Sequence, residues 1–374
     1  MELRDGMLRT GELATLKLRA RYEQLGYQKY RMGRFEEYSL YAQNKNFLAG
    51  EKVIAFTDLD GRLMALKPDV TLSILKNARA AAGEREKLYY LESVYRESRE
   101  SHTYREISQM GLEVLGLVDQ YAAAEVLALA EQSLAEISPD YLLELSDMDF
   151  VVGLLSELGL PEGRAVGLLA LIRQKNADGL RRAAEELALS GPAADTLAAL
   201  PGLYGPLTET VARARPLAVN AVMSGALDRL EQLWDTLRAM GWGKRVQLDL
   251  SMANDMDYYN GIIFQGYLEQ LPRSVLAGGR YDALVRRMGK EGGGIGFALY
   301  LSELERLPGP AGRRQVDALL LYPPEADPVG VARRVEELAA QGLRVRAEVR
   351  RPEGVHYEKL FHLTENGLEE VPSC

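Results

Sequence analysis

The feature that most constrains the fold of this chain is a helical block that interrupts a strand-rich sequence. From about residue 150 to residue 243, Leu, Ala, Glu and Arg dominate, with scattered Gly and Pro residues as breaks. The segments on both sides contain short apolar runs with alternation, which is typical of strands. We therefore predict a chain of mixed helices and strands, in which a helical region is inserted between two strand-rich halves.

Outside this block, apolar spacing and turn residues predict individual elements. The predicted helices cover residues 13–25, 69–82 and 120–137, and Gly26 ends the first of them. An Asp-Gly pair at residues 60–61 predicts a hairpin between residues 53–58 and 63–66. Further strands are predicted at residues 88–96, 107–118, 246–250, 261–268 and 275–277, and a strand followed by a loop at residues 27–41.

The C-terminal part of the chain predicts a second, smaller unit. Residues 307–315 have the Pro and Gly content of a linker. Beyond it, a strand at residues 316–322, a helix at 328–342 and a strand at 343–349 predict a short βαβ-like unit within residues 316–374. Residues 1–306 form the expected large domain.

Composition limits the class of protein. An apolar fraction of 47% and a charged fraction of 26% are ordinary for a soluble globular protein. The net charge of −9 argues against nonspecific nucleic-acid binding, which needs a surplus of cations. A single cysteine, Cys374, with no signal-peptide or membrane-length apolar run, predicts a cytoplasmic protein that binds no membrane. His102, His356 and His362 do not form a metal-ligand cluster with it, so no metal site is predicted.

One predicted strand carries polar residues at a spacing of two. Gln109, Gly111 and Glu113 point to one face, whereas Met110 and Leu112 point to the other. An amide and a carboxylate separated by a residue without a side chain could support a small polar ligand. An exposed, polar strand face is the alternative that this pattern alone leaves open.

A second group of candidate residues surrounds the start of a predicted helix. Asp69 or Thr71 can cap the helix that follows Pro68, which leaves the other residue for a ligand's ammonium group, although capping alone remains an alternative. Arg96 ends a predicted strand, and its guanidinium suits a carboxylate or phosphate. The alternative is a charged strand edge, because glutamates are interleaved there.

Glycines mark two further segments. Gly278 and Gly279 precede a predicted helix, where backbone can approach a ligand closely. The three glycines at 292–294 lack the Lys-Ser or Lys-Thr pair of a phosphate-binding loop, so we predict a flexible turn. Neither a nucleophile-elbow motif nor a dinucleotide-binding motif is present, so hydrolase and dehydrogenase activities have no support.

The order of these motifs resembles the catalytic domain of class II histidyl-tRNA synthetases over residues 10–305. The matching segments are residues 67–71, 95–96, 104–113, 257–261, 278–282 and 296–298. The resemblance implies an α+β fold with a mixed, mostly antiparallel sheet flanked by helices, in a protein that is usually dimeric. It also implies a histidine site formed by Asp69, Thr71, Arg96, Gln109, Glu113, Tyr259 and Tyr281.

The departures from the synthetase pattern concern the nucleotide half of the pocket. Asn254 replaces an arginine at the reacting carboxylate, and Glu303 replaces the arginine that holds the ATP γ-phosphate. Ser98 stands where a glutamate helps to hold adenine, and Gly33 lies near the proline of the dimer motif. Opposite unit charges about 4 Å apart interact by roughly 4 kcal/mol near a surface, so an Arg-to-Glu exchange disfavours ATP by several kcal/mol.

A retained amino-acid pocket with a disabled ATP site resembles the regulatory subunits of ATP phosphoribosyltransferase, which are synthetase-like paralogues. This resemblance implies a hetero-oligomer with the short-form catalytic subunit, feedback inhibition by histidine in histidine biosynthesis, and no catalytic residue or cofactor in this chain. Two alternatives stay open: a divergent histidyl-tRNA synthetase, and an assembly scaffold whose pocket is a relic.

Overall fold

The computed structural model describes residues 10–48, 53–79, 83–97, 103–253, 259–307, 316–364 and 367–372. The chain divides into two compact units, of which the larger is Thr10–Leu307 and the smaller contains the C-terminal elements. Among the helices formed by the described residues, none has both the length and the apolar character that a membrane span requires.

The larger unit contains most of the secondary structure. In its described residues the strands are β1 (Gln28–Lys29), β2 (Phe35–Glu37), β3 (Ala55–Thr57), β4 (Leu63–Leu66), β5 (Arg85–Glu97), β6 (Tyr104–Gly116), β7 (Tyr141–Asp147), β8 (Tyr204–Pro206), β9 (Val246–Asp249), β10 (Ile262–Leu268), β11 (Leu276–Arg280) and β12 (Gly293–Tyr300). The α-helices are α1 (Thr10–Gln24), α2 (Tyr38–Gln43), α3 (Thr71–Asn77), α4 (Gln120–Ala135), α5 (Met148–Glu157), α6 (Glu162–Arg173), α7 (Ala177–Glu186), α8 (Pro192–Ala199), α9 (Leu207–Ala214), α10 (Ala221–Ala239), α11 (Asp282–Arg287) and α12 (Leu301–Leu304).

The central sheet is mixed and mostly antiparallel. Its strand order is β1-β5-β6-β12-β11-β10-β7-β9-β8. The β1–β5 and β7–β9 pairs are parallel, and the other neighbours are antiparallel. The fold class predicted from the resemblance is therefore confirmed, and strands from both sides of the helical block do join one sheet.

The two faces of β6 pack into different hydrophobic cores. Met110, Leu112 and Val114 belong to the main core, together with the alanine-rich face of α4. The Asp119 side chain caps α4 by accepting a hydrogen bond of 2.9 Å from the Ala122 N–H. The opposite face of β6 contributes Leu115 to a second core that covers the predicted site. Because of this alternation, Gln109 and Glu113 of β6 lie beneath the second core.

The inserted region consists of helices α5 to α10 with the short strand β8, which was not predicted. Arg229 of α10 fastens it to the sheet, because its guanidinium donates to the Asp147 carboxylate at 3.0 and 3.1 Å and to Asp149 at 2.6 Å. Burial raises the pKa of Asp147, and the Arg229 guanidinium opposes this. Asp147 ends β7, so this ion pair fixes α10 against the end of that strand.

A small antiparallel sheet, of order β2-β4-β3, is formed by the chain between β1 and β5 of the central sheet. The predicted hairpin is confirmed: β3 pairs with β4, and Gly61 in the connecting turn has a φ of +81° that favours glycine. The prediction of a strand and loop over residues 27–41 was wrong in part, because Tyr38–Gln43 is the helix α2. Tyr41 on α2 is buried in the second core, and this burial stabilises a helix there.

The smaller unit contains β13 (Ala318–Leu321), α13 (Pro328–Ala340), β14 (Val345–Glu348), β15 (Lys359–Thr364) and β16 (Gly367–Val371). Its strand order is β14-β13-β15-β16, and β13 is parallel to both neighbours. The elements β13, α13 and β14 form a βαβ unit. The two last strands were missed, because their sequence lacks a clear alternation of apolar and polar residues.

Candidate functional site

Glu113 is the centre of the site. It lies on β6 in the middle of the central sheet, and 2% of the residue is exposed. The Thr71 hydroxyl donates a hydrogen bond of 2.8 Å to one carboxyl oxygen, and the Tyr281 hydroxyl donates to the other. These two donors hold the carboxyl group in one orientation on the sheet face.

Among the residues that the structure describes, none supplies a cation that offsets the charge of ionised Glu113. Burial raises its pKa to about 8, the hydrogen bonds from Tyr281 and Thr71 oppose the rise, and the negative charge of Asp69 adds to it. Two carboxyl groups close together in a buried site disfavour double ionisation. A ligand with a positive charge would satisfy both groups at once.

Asp69 lies where α3 begins. Its carboxylate accepts a hydrogen bond of 2.8 Å from the Leu72 N–H, so it caps the first turn, whereas Thr71 binds Glu113. The prediction that one of these two residues caps the helix is therefore confirmed. Burial raises the pKa of Asp69, and both the Leu72 N–H and Arg96 oppose this.

Arg96 lies beside this segment at the end of β5. Its guanidinium Nε donates a hydrogen bond of 2.9 Å to the Pro68 carbonyl oxygen. This contact holds Arg96 next to the residue that precedes Asp69, which explains the electrostatic effect of Arg96 on that carboxyl group. The arrangement places one fixed positive charge at the border of a site with two carboxyl groups.

Tyrosines form the remainder of the site. Tyr281 is buried, and its N–H donates to the Gly294 carbonyl oxygen at 2.8 Å. Tyr259 lies over β11, since a Cβ on Gly279 would lie 2.6 Å from its ring. Tyr90 of β5 was missed by the sequence reasoning, although burial and the charge of Glu113 raise its pKa. The sequence feature that could have indicated Tyr90 is Gly111, which pairs with it on β6 and leaves space for its ring.

Gln109 shares the sheet face with Glu113 and is buried. Four residues of strand separate their Cα atoms by about 13 Å, so a ligand that reaches both must lie along β6. The alternative of an exposed polar strand face is wrong, because both side chains are covered. The structure thus brings Asp69, Thr71, Glu113 and Tyr281 together and places Arg96, Tyr259 and Gln109 around them.

The prediction of a flexible turn at residues 292–294 was wrong for Gly293 and Gly294, whereas Gly292 lies in a bend with a φ of +85°. Gly293 and Gly294 are buried residues of β12, which lies between β6 and β11. A Cβ on Gly294 would lie 2.2 Å from the Tyr281 ring, and one on Gly293 would lie 2.3 Å from the Asp282 carboxylate. These glycines leave space for side chains of the site, and chain flexibility is not their role.

Gly296 has the same role for Glu113, so its replacement by alanine is expected to destabilise the fold by about 3 kcal/mol. A Cβ there would lie 1.8 Å from a Glu113 carboxyl oxygen and 2.3 Å from the Leu112 carbonyl oxygen. Urea unfolding measures the effect. Gly167→Ala is the matched control, because Gly167 lies in α6 with nothing within 4 Å, and it should gain up to about 1 kcal/mol. Equal stability of Gly296→Ala and the unaltered protein would contradict the argument.

Of the positions that depart from the synthetase pattern, Gly33 and Glu303 lie in the described part of the chain. Gly33 precedes β2, and a Cβ there would lie 3.4 Å from the Phe35 carbonyl oxygen. Glu303 belongs to α12, and Arg306 forms an ion pair with it at 2.8 Å. The same helix docks on β6, because the Ser302 hydroxyl accepts a hydrogen bond of 2.9 Å from the Ser108 N–H. Asn254, Ser98 and the linker residues from 308 to 315 lie outside the described residues.

These features define a class of protein. A mostly antiparallel sheet with a polar pocket on one face, bordered by helices, is the architecture of a class II synthetase-like domain. Residues 7–304 match the family model described as histidyl-tRNA synthetase. The chain belongs to the histidyl-tRNA synthetase family.

The chain is similar to individual proteins that are named as regulatory subunits, and its fold is also similar to that of a histidyl-tRNA synthetase from Nostoc sp. PCC 7120, with a TM-score of 0.72, 16% identity, and 95% of this chain and 87% of that chain covered. The chain is 29% identical, over 82% of its length and 75% of the relative's, to an ATP phosphoribosyltransferase regulatory subunit of Bacillus cereus (strain G9842). Its fold is similar to that of an ATP phosphoribosyltransferase regulatory subunit/histidyl-tRNA synthetase from Bacillus halodurans, with a TM-score of 0.76, 23% identity and 96% of each chain covered. It is also similar to a chain of the ATP phosphoribosyl transferase (HisG:HisZ) complex from Thermotoga maritima, with a TM-score of 0.61, 20% identity, and 77% of this chain and 96% of that chain covered.

Proposed function

We propose that this chain is a non-catalytic regulatory subunit of ATP phosphoribosyltransferase, which binds histidine and transmits feedback inhibition to a catalytic partner. The site would consist of the buried carboxyl groups, hydroxyls and rings around Glu113, with the predicted members Asp69, Thr71, Arg96, Gln109, Glu113, Tyr259 and Tyr281. Asp69 and Glu113 would meet the ammonium or imidazole group, and the tyrosines would pack against the ring.

The observation that carries the proposal is the contrast between Glu113 and Glu303. The surroundings of Glu113 suit a ligand with a positive charge, since hydrogen bonds orient its carboxyl group and, among the described residues, no cation offsets the charge of its ionised form. At Glu303 a carboxylate occupies the position where the synthetase pattern has the arginine for the ATP γ-phosphate. Opposite unit charges there would attract by roughly 4 kcal/mol, and the exchange removes this attraction. The pocket therefore favours binding of the amino acid without its activation.

The proposal extends to the assembly. The similarity to a chain of the ATP phosphoribosyl transferase (HisG:HisZ) complex supports a catalytic partner. We propose that this partner is the short-form catalytic subunit and that the chain also associates with itself as a dimer. In the proposed division, residues 1–306 form the synthetase-like domain and residues 316–374 a separate C-terminal unit. Feedback then requires two states of the complex that differ in histidine affinity, with a coupling of about 1–3 kcal/mol.

Replacement of Glu113 by glutamine is expected to weaken histidine binding at least about 30-fold and to relieve histidine inhibition of the complex by a similar factor. Glutamine keeps the size of the side chain but removes the charge that a buried cation needs, and losing one member of such a pair costs about 2–5 kcal/mol. Isothermal titration of the purified chain, alone and with the catalytic partner, measures the affinity, and an inhibition assay of the complex measures the coupling.

Glu269→Gln is the matched control, because this carboxylate is exposed and lies outside the site. It should leave histidine affinity and inhibition unchanged. Unchanged inhibition in Glu113→Gln would instead indicate a scaffold with a relic pocket. Histidine-dependent exchange of pyrophosphate with ATP by the purified chain would establish a divergent synthetase and end the proposal.

A further inference from the structure

A cleft of about 540 Å³ lies in the larger unit, where the parallel strands β7 and β9 begin. The C-terminal end of α10, the first turn of α9 and the loop between α10 and β9 form its walls. Its lining includes Tyr141 together with Trp234 and Trp242, which are the two tryptophans of the chain. The cleft has the size of a site for a small molecule, and it shares no residue with the site around Glu113.

The two indole rings are half-buried in the wall of the cleft. Trp234 and Trp242 both pack against the main core, and both remain partly exposed. Gly243, with a φ of +97°, allows the backbone to approach Trp234, since a Cβ there would lie 2.9 Å from the ring. Within the described residues, neither indole N–H has a hydrogen-bond acceptor. The rings therefore offer a flat surface on which another flat ring can stack.

A buried carboxyl group holds the loop that carries Trp242. Glu131 of α4 is completely covered. It accepts hydrogen bonds from the Gly243 N–H at 2.6 Å, the Arg245 N–H at 3.3 Å and the Tyr141 hydroxyl at 3.1 Å. All three donors belong to residues that line the cleft, and a buried carboxyl group is costly without them. The wall of the cleft is therefore fixed in one arrangement before any ligand binds.

Cations outnumber carboxylates in the lining of the cleft. The cationic residues are Arg238, Lys244 and Arg245, and the carboxylate is Glu209. Arg245 already forms an exposed ion pair of 3.5 Å with Asp140. By contrast, the side chains of Arg238 and Lys244 have neither an ion pair nor a hydrogen bond within the described part of the chain. Two cations are therefore available to a ligand with a negative charge.

Each of these two cations accompanies one of the tryptophans. Trp234 and Arg238 are four residues apart on α10, so they lie on the same face of the helix. Lys244 follows Trp242 by two residues in the loop. Glu209 has a structural explanation, because it lies in the first turn of α9, where the helix dipole favours a carboxylate. The arrangement suits a ligand that combines a flat ring with an anionic group.

We propose that this cleft binds a nucleoside monophosphate or diphosphate. The base stacks on the tryptophans, and the phosphate accepts hydrogen bonds from Arg238 and Lys244. A nucleoside lacks the charge that these cations attract, and a sugar phosphate lacks the ring that the indoles attract, so both parts of the ligand contribute. The proposal concerns the larger unit alone and does not depend on the regulatory function.

The tryptophan fluorescence of the full chain tests the proposal. Because both tryptophans line the cleft, their emission reports binding there and not at Glu113. AMP, ADP, GMP and UMP are added singly, with excitation where tyrosine does not absorb, and titration calorimetry measures the affinity. We expect at least one nucleotide to bind and to change the emission. The matching nucleoside and ribose phosphate should each bind at least about tenfold more weakly.

Substitutions assign the binding to the cleft. Arg238→Gln combined with Lys244→Gln should weaken it at least about tenfold, and the fold should persist because both side chains are exposed. Arg164→Gln combined with Arg182→Gln is the matched control, because it removes the same charge from exposed positions of α6 and α7 outside the cleft. The control should leave the affinity unchanged. Trp242→Leu should weaken binding at least about fivefold through lost stacking, while Trp234 still provides the signal.

Four results would overturn the proposal. The first is that no nucleotide binds. The second is that the variant with Arg238→Gln and Lys244→Gln binds as tightly as the matched control. The third is that the nucleoside or ribose phosphate alone binds as tightly as the nucleotide. The fourth is that a single-stranded RNA oligonucleotide binds more than about tenfold more tightly than the nucleotide, because the cleft would then be part of a nucleic-acid surface.

Discussion

Between pH 4.5 and pH 8, the unaltered protein is expected to lose roughly 5 kcal/mol of unfolding free energy relative to Glu113→Gln. Burial raises the pKa of Glu113 to about 8, against 4.5 for an ordinary glutamate. Above pH 4.5 the unfolded chain releases this proton while the folded chain retains it, so stability falls as the pH rises. The loss is complete near pH 8, and each pKa unit corresponds to about 1.36 kcal/mol. Urea unfolding of both proteins across this range measures the difference.

Glutamine is a suitable reference because it has the shape of the protonated carboxyl group and does not titrate. A buried carboxyl group outside the site, such as Asp147, titrates in both proteins and cancels in the difference. Glu269→Gln is the control for an exposed carboxylate, and its profile should run parallel to that of the unaltered protein. Parallel profiles for Glu113→Gln as well would mean that Glu113 is ionised in the empty site.

The protonation state of Glu113 connects the stability of the fold to the proposed ligand. In the empty site Glu113 is held as an acid, with Thr71 and Tyr281 fixing its two oxygens. A bound ammonium group would favour the ionised form, because an opposite charge within about 4–6 Å lowers a carboxyl pKa. Histidine would then stabilise the protein in the pH range where its empty site destabilises it. A destabilised empty site is a suitable basis for a switch that depends on its ligand.

Part of this site could be predicted from the sequence because strand geometry is simple. The alternation at Gln109, Gly111 and Glu113 was enough to place the amide and the carboxylate on one face. The same rule could not say whether that face was buried, since burial depends on the helix and strands that pack over it. This face of β6 is buried by residues distant in sequence, such as Leu72 and Leu284 in the second core.

The glycines of β12 show where local rules fail. A run of three glycines ordinarily indicates a turn, because glycine weakens strands. Here Gly294 and Gly296 are strand residues whose missing side chains leave room for Tyr281 and Glu113. The reason for each glycine is a residue on another strand, so only the tertiary structure reveals it. Helix α2 was missed for a similar reason, because Tyr41 packs into a core formed by later segments.

Lys67→Met is expected to destabilise the large unit by about 3–5 kcal/mol, because it removes one member of a buried ion pair. The Lys67 ammonium group contacts the Glu92 carboxylate, and the two side chains are 1% and 16% exposed. The backbone of Lys67 also connects the small sheet to the central one. Its N–H donates to the Arg34 carbonyl oxygen, next to β2, at 3.2 Å, and its carbonyl oxygen accepts from the Tyr95 N–H of β5 at 2.9 Å. Urea unfolding measures the loss.

The double variant Lys67→Met with Glu92→Met should regain most of this stability, because both charges are then absent and the space is filled by apolar groups. Glu92→Gln alone should be as damaging as Lys67→Met, since it leaves a fully covered ammonium group with a neutral partner. Equal losses in the single and double variants would show that the charges are not coupled. Asp69, which follows Lys67 by two residues, caps the start of α3. If the ion pair holds this segment in place, the single variants should also weaken histidine binding. The double variant should then restore it.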